Sequence, residues 1–133
     1  MICLDTDFVI GLWRSQGHPD HPVRQALARH PAEVLVVCAS VAGEFLEGAA
    51  FISGERLKEA ILFLRLFEIS GLSLQTAVQY ARTVADLRHQ DALAGMSKAD
   101  LWIAAWAIEH HATLATQNRR HFSRVKGLKL LPT

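Results

Sequence analysis

Short apolar runs recur along this chain, and longer segments with helical spacing separate them. Residues 2–4 and 34–38 are uninterrupted runs of this kind. Residues 67–69, 113–116 and 128–131 are further candidate strands. Continuous apolar runs of strand length are typical of strands that are buried on both faces. Their alternation with helices predicts an α/β sandwich around a parallel sheet.

Helical spacing of apolar residues predicts the segments that lie between these strands. The predicted helices cover approximately 8–14, 23–30, 41–51, 57–66, 74–95 and 98–111. Ser40, Ser73 and Ser97 each stand just before one of them and are the predicted N-caps. The Ser53-Gly54 pair is expected to separate the third helix from the fourth.

Composition restricts the class of protein further. The chain has 133 residues, half of them apolar, and a formal net charge of +1. A chain of this size and composition buries a core without help from disulfides, so disorder is excluded and a single domain over residues 1–133 is expected. The near-zero charge also argues against a coat protein that covers nucleic acid with a broad basic surface.

The compartment is predicted from what the sequence lacks. No run reaches the roughly 18 apolar residues that a membrane span requires, and the first residues do not carry the basic segment of a signal peptide. We therefore expect a cytoplasmic protein that does not contact a membrane. Cys3 and Cys38 lie within apolar runs, so two reduced, buried thiols are expected.

Oxygen-bearing polar side chains follow the predicted strands. Asp5 comes directly after the first strand, and Glu44 lies one turn into the helix after the second. Asn118 follows a later strand, and Asp100 lies in the first turn of the last long helix. Ligands of open parallel sheets bind beyond the carboxyl ends of the strands, where the strand order reverses. We expect these four side chains to converge there.

Three carboxylates and an amide in one place favour a divalent cation. Hard cations such as Mg²⁺ and Mn²⁺ take oxygen ligands, and a cation relieves the repulsion between packed carboxylates. Such a site activates water and neutralises charge that develops on a phosphate. Structural roles compete with this interpretation. Asp5 is a possible N-cap, Asp100 can form a capping box with Ser97, and Glu44 can be a solvated helix residue.

Four segments, in this order and at this spacing, resemble the PIN-domain ribonucleases and specifically the VapC-type toxins of type II toxin–antitoxin pairs. They are Ile-Cys-Leu-Asp-Thr-Asp at 2–7, Ser-Val-Ala-Gly-Glu-Phe at 40–45, Asp-Leu-Trp-Ile-Ala-Ala-Trp-Ala at 100–107 and Leu-Ala-Thr-Gln-Asn-Arg-Arg-His-Phe at 114–122, followed by Val-Lys-Gly-Leu at 125–128. The resemblance covers essentially the whole chain. It implies a PIN-like three-layer α/β/α sandwich with a short central parallel sheet.

The resemblance also implies roles for individual residues. Asp5 and Asp100 correspond to the principal ligands of Mg²⁺, for which Mn²⁺ can substitute. Glu44 matches the third acidic residue of the family, which holds water or acts as a base. Thr116 matches a threonine of the family, and Thr6 is taken as a second supporting residue.

The chain departs from the family pattern at one end of the site. Asn118 matches the fourth position of the family and is retained as a catalytic candidate. Many relatives carry an acidic residue at position 118 or 121, where this chain has Asn118 and His121. The resemblance therefore implies one tightly held ion rather than two.

The implied activity is Mg²⁺-dependent endonucleolytic hydrolysis of RNA, in structured or single-stranded regions such as the loops of transfer or ribosomal RNA. Attack by water leaves a 5′-phosphate and a 3′-hydroxyl. A small antitoxin protein that blocks the acidic groove and a homodimer of the chain are further implications of the resemblance.

Basic residues cluster beside Asn118 and are candidates for contacts with RNA phosphates. The candidates are Arg14, Arg119, Arg120, Arg124 and Lys126, with Lys129 a little further along. A solvated loop is the competing interpretation of such a run.

Two other functions compete with the nuclease. Asp5-Thr6-Asp7-Phe8-Val9 matches the motif that opens haloacid-dehalogenase-like phosphatases, although the chain is short for that fold. The second alternative is a catalytically weak PIN-like module that binds RNA or protein without cleavage, which Asn118 keeps open.

Overall fold

A computed structural model describes residues 1–132, so Thr133, the last residue of the expected domain, lies outside the described residues. Five strands and seven helices form within the described part of the chain. In order they are β1 (Ile2–Leu4), α1 (Thr6–Arg14), α2 (Pro22–Ala28), β2 (Leu35–Cys38), α3 (Ala39–Ile52), α4 (Gly54–Leu64), β3 (Glu68–Ser70), α5 (Leu74–His89), α6 (Lys98–Glu109), β4 (Thr113–Ala115), α7 (Arg119–Phe122) and β5 (Lys129–Leu130).

The strands form one parallel sheet in the order β3-β2-β1-β4-β5. β1 is central, and its Cys3 is in register with Val36 of β2 and Leu114 of β4. The chain first runs from β1 to β3 and then returns past β1 to β4. Because crossovers between parallel strands are right-handed, α1–α4 cover one face, whereas α5 and α6 cover the other. The predicted three-layer α/β/α sandwich is confirmed, and the strand order reverses at β1.

The apolar runs form the centre of the core, as predicted. Cys3, Leu4, Val37 and Leu114 have no measurable exposure, since helices cover both faces of the sheet. Cys3 and Cys38 are both buried and both free thiols, as expected.

The prediction of Ser40 as an N-cap is wrong. The helix begins immediately after β2, at Ala39, so Cys38 takes the N-cap position and makes no side-chain cap. Ser40 lies inside the first turn, where its hydroxyl is buried and makes no hydrogen bond to any residue from 1 to 132. Ser73 and Ser97, in contrast, form the predicted caps and each makes a capping box.

The two long helices on one face end earlier than predicted. Helix α5 stops at His89 because Asp91 adopts a left-handed backbone conformation (φ +52°), and the N–H of Ala92 bonds the carbonyl of Leu87 at 2.8 Å. His111 ends α6 in the same way (φ +53°). Spacing alone did not reveal these ends, because glycine usually occupies such a position.

No helix within residues 1–132 combines the length and the apolar character needed to cross a membrane.

Candidate active site

Asp5 occupies the junction between β1 and α1. Its backbone N–H donates to the carbonyl of Ala115 at 3.2 Å, which ties the ends of β1 and β4 together. Its Oδ1 accepts a hydrogen bond from the backbone N–H of Phe8 at 2.8 Å, so the carboxylate is the N-cap of α1. The residue is only 5% exposed. Capping uses one carboxylate oxygen and leaves the other for further contacts.

The Asp5 carboxyl carries the clearest electrostatic signature of the site. Burial raises its pKa from 3.8 to about 6, although hydrogen bonding by the Thr116 hydroxyl and by the N–H of Phe8 opposes this rise. The negative charges of Asp7 and Asp100 raise the pKa further. The fold therefore places two further carboxylates close enough to the buried Asp5 to act on its pKa.

Asp100 lies in the first turn of α6 and faces the same region. Its Oδ2 accepts from the backbone N–H of Ser97 at 3.4 Å, and the hydroxyl of Ser97 accepts from the backbone N–H of Asp100 at 3.1 Å. The capping box expected as a structural alternative is therefore present. It does not remove Asp100 from the site, because the charge of this carboxylate acts on Asp5.

Residues after β4 complete this side of the site. The hydroxyl of Thr116, a residue that is 1% exposed, accepts the backbone N–H of Asn118 at 2.9 Å. The side-chain amide of Asn118 donates to Nδ1 of His121 at 2.7 Å. Thr6, half-buried, begins α1 directly after Asp5. The structure thus places the ends of β1 and β4 side by side, and with them Asp5 and Thr116.

Glu44 lies at a surface formed by α1, α3 and α4. It is exposed on α3 and lines a cavity of about 190 Å³ together with Arg14, Trp13 and Arg56. The Arg56 guanidinium stacks over the Trp13 ring at 4.4 Å. Arg56 was not a candidate on sequence grounds, because it is on α4 and only packing brings it next to α1 and α3.

The candidate RNA-binding residues have different environments. Arg119 donates to the carbonyl of Leu131, and Arg124 donates to the carbonyls of Ala92 and Ala94 at 3.0 and 2.8 Å. These two side chains therefore hold the chain together. Arg14, Arg120 and Lys126 are exposed.

Comparison with known proteins identifies the family. A model of the PIN domain matches residues 2–128. The chain is 30% identical to the VapC ribonuclease Y4jK of Sinorhizobium fredii over 140 residues, covering 98% of this chain and 96% of the relative. It is also 30% identical over 115 residues to ribonuclease VapC1 of Methanocaldococcus jannaschii, covering 84% and 79% of the two chains. The chain belongs to the PIN-domain family.

The solved structures agree with this assignment. The fold of this PIN domain matches VapBC2 from Rickettsia felis, crystallised with a DNA fragment from its promoter, with a TM-score of 0.81 and 25% identity over 98% of this chain and 97% of the other. The haloacid-dehalogenase alternative rested on five residues at the start of the chain. The PIN-domain family accounts for residues 2–128 and is therefore preferred.

The donor set of this PIN domain suits a hard divalent cation. No three His, Cys, Asp or Glu side chains in the described part of the chain form a ready-made metal cluster. The chemistry of the donors nevertheless fits, since Asp5 is buried and the charges of Asp7 and Asp100 act on it. A cation bound to Asp5 and Asp100 would relieve this repulsion through oxygen ligands.

Proposed function

We propose that this PIN domain is a metal-dependent endoribonuclease of the cytoplasm and the toxin of a type II toxin–antitoxin pair, with residues 1–133 as its single domain. The buried carboxyl of Asp5, whose pKa the neighbouring carboxylates help to raise to about 6, carries the proposal. Such a group is costly to keep unless it has a function. The two VapC ribonucleases, each 30% identical, support RNA as the substrate.

Asp5 and Asp100 would hold Mg²⁺, or Mn²⁺ in its place. When bound, the ion supplies positive charge against a scissile phosphate. The protein contributes the orientation of its ligands, because the N–H of Phe8 fixes Asp5 and the capping box with Ser97 fixes Asp100. Thr116 and Asn118 hold the adjoining backbone in place, with Thr6 beside them.

Glu44 would orient the attacking water and take its proton. The water oxygen then forms a bond to phosphorus while the bond from phosphorus to the 3′-oxygen breaks, and the leaving oxygen takes a proton from solvent. Glu44 is exposed on the wall of a cavity that Arg14 also lines, so its carboxylate is accessible to water. The products are a 5′-phosphate and a 3′-hydroxyl.

RNA would approach across the basic side chains around this site. Arg14 lies beside Glu44, and Arg120 and Lys126 are exposed near Asn118. Arg119 and Arg124 support this surface through their bonds to backbone carbonyls. Transfer or ribosomal RNA loops are the proposed substrates, because the unstacked bases of a loop can be splayed out and contacted by a protein surface.

A small antitoxin would cover the surface next to Glu44. A cavity of about 760 Å³ there combines apolar side chains with charged ones and is lined by Trp13, Arg14, Gln16, Arg56, Glu59, Leu62, Phe63 and Leu66. Leu62, on α4, and Leu66, in the turn after it, are 58% and 73% exposed, and such apolar exposure beside a cavity favours contact with a partner. The VapBC2 structure supports an antitoxin partner for this chain.

A homodimer is the second proposed assembly. Leu72, in the loop after β3, and Leu74, the first residue of α5, are 41% and 77% exposed, and β3 is an edge strand of the sheet. An uncovered strand edge with apolar neighbours favours pairing with another chain.

The deciding experiment is cleavage of total cellular RNA by the purified chain, freed of any bound partner. It is run with Mg²⁺, with Mn²⁺ and with EDTA. We expect discrete fragments that require metal and disappear in Asp100→Asn, a change that keeps an acceptor oxygen for the N–H of Ser97. Glu44→Gln is expected to slow cleavage about a hundredfold or more by loss of a general base. Glu47→Gln, three residues away on the exposed surface of the same helix, is the matched control.

Sequencing of the fragment ends tests the chemistry. Fragments ending in 2′,3′-cyclic phosphate would contradict attack by water. Absence of cleavage with either metal, while a folded protein still binds RNA, would favour the binding module.

A further inference from the structure

A basic cavity of about 510 Å³ is formed by residues that follow Asn118 in the chain. Its lining consists of Arg120, His121 and Arg124, without a carboxylate among them. The loop that leads into α6 borders this cavity at Gly95. The cavity therefore lies between α7 and the segment that positions Asp100.

Arg124 is held rigidly in this wall. One guanidinium nitrogen, Nη1, donates to the carbonyls of Ala92 and Ala94 at 3.0 and 2.8 Å. The other terminal nitrogen, Nη2, would lie 3.6 Å from a Cβ at Gly95. Because the side chain is half-buried and anchored, its remaining donors are oriented before any ligand arrives.

The hydrogen bond to Asn118 sets the tautomer of His121. The amide Nδ2 donates to Nδ1 of the ring at 2.7 Å, so Nδ1 is an acceptor and the N–H of this tautomer is at Nε2. Nε2 would lie 3.5 Å from a Cβ at Gly95. The N–H of His121 and the Nη2 of Arg124 thus converge on the same small volume.

Gly95 keeps this volume accessible. Its φ of +86° lies in the left-handed region, and any Cβ would be in contact with both nitrogens. Two fixed donors at a glycine, with the exposed Arg120 at the rim, suit an anion with several oxygens.

We propose that this cavity binds a phosphodiester group of the RNA backbone that neighbours the scissile phosphate, with His121 and Arg124 as the donors. This inference rests on the proposed function for the identity of its ligand. It assigns His121 to the binding of an anion rather than of a metal. Arg120 strengthens the attraction from the rim.

Phosphate alone tests the cavity. Inorganic phosphate is titrated into the full chain in EDTA while the Gly95 amide and the His121 ring are followed by ¹H–¹⁵N NMR. We expect saturable shifts at both positions. His121→Phe, which keeps the ring shape but loses both nitrogens, should weaken the affinity about tenfold, the loss expected for one hydrogen bond to a charged group.

Two further variants provide the comparison. His121→Gln restores a side-chain N–H donor and should recover much of the affinity. Arg65 is exposed beside β3, at the opposite edge of the sheet, so Arg65→Gln should leave the affinity for phosphate unchanged. Thermal melting verifies that each variant is folded. Absence of saturation, equal affinity in His121→Phe, or tighter binding of an oligoglutamate peptide than of phosphate would each overturn the inference.

Cleavage kinetics separate this inference from the proposed function. With Mg²⁺ and a short RNA, His121→Phe should raise KM about tenfold and leave kcat nearly unchanged. If His121→Phe cleaves RNA with an unaltered KM and the wild-type chain does not bind phosphate, the anion site is refuted but the proposed nuclease activity stands. Saturable phosphate binding with the expected variant pattern, but without cleavage, would support the anion site and overturn the nuclease.

Discussion

The side-chain amide of Asn118 donates a hydrogen bond to Nδ1 of His121 at 2.7 Å. The two residues belong to the segment that leaves β4, and the backbone N–H of Asn118 is also bound by the hydroxyl of Thr116 at 2.9 Å. One short segment therefore connects the buried carboxylate side of the site with the basic cavity. Its geometry determines which ring nitrogen of His121 carries the proton.

Asn118→Asp should reverse the tautomer of His121. A carboxylate at this position accepts hydrogen bonds and does not donate them, so Nδ1 of the neutral ring would have to carry the proton. The ¹⁵N chemical shifts of the ring, measured at pH 8, distinguish the two tautomers. An unchanged Nε2–H tautomer in Asn118→Asp would show that the bond from Asn118 does not control the ring.

Asp5→Asn should stabilise the metal-free protein at neutral pH. The raised pKa of Asp5 means that the folded state retains a proton that the unfolded state releases, so stability falls as pH rises from about 4 to about 6. A rise from 3.8 to about 6 corresponds to about 3 kcal/mol. Asparagine has no charge to bury, so its advantage over wild type should grow through this window and then level off.

Urea unfolding in EDTA between pH 4 and pH 8 measures this difference. Asp20→Asn, at an exposed carboxylate that does not act on the pKa of Asp5, is the control and should show a much smaller dependence. A constant difference between Asp5→Asn and wild type at every pH would refute the prediction.

Divalent cations should stabilise the wild-type chain. A ligand that binds only the folded state at a hundred times its Kd adds about 2.7 kcal/mol, which for a domain of this size raises Tm by about 10 °C. Asp5→Asn and Asp100→Asn should lose most of this increase. Thermal melts with Mg²⁺, Mn²⁺ and EDTA provide the test. An equal increase in Tm for the wild type, Asp5→Asn and Asp100→Asn would indicate that the metal binds elsewhere.

Arg124→Gln should loosen the loop before α6. The change removes hydrogen bonds to the carbonyls of Ala92 and Ala94, at a cost of about 2 kcal/mol. Hydrogen exchange of the backbone amides at 92–97 should accelerate relative to the core strands. Arg120→Gln, an exposed neighbour, serves as the control, and equal exchange in the two variants would contradict a holding role for Arg124.

Alanine substitutions at Ser40 and Ser53 should change the free energy of unfolding in opposite directions. Ser40→Ala removes a buried hydroxyl without a partner and should raise the free energy of unfolding by about 1 kcal/mol. Ser53→Ala removes the cap that accepts the N–H of Arg56 at 3.0 Å and should lower it by about 1 kcal/mol. Urea titration distinguishes the signs, and destabilisation by Ser40→Ala would mean that its hydroxyl has a partner in solution.

Strands and helix starts were predictable wherever neighbouring residues in the sequence determine them. The apolar runs identified the strands, and the caps at Ser73 and Ser97 marked the starts of α5 and α6, because these signals depend on residues within one turn. The same patterns failed for Ser40 and for the ends at Asp91 and His111. There the path of the neighbouring chain determines the backbone, and no glycine marks the change of conformation.

The sequence by itself determined the type of site. It placed Asp5 after a strand and Asp100 in a first helical turn, and oxygen donors of this kind define the class of ligand. Only the tertiary structure decided how these groups act on one another. The strand order puts β1 beside β4, which buries Asp5 next to Thr116 and within the field of Asp100. Burial and charge depend on residues far apart in the chain, so spacing could not predict the raised pKa of Asp5 or the anchoring of Arg124.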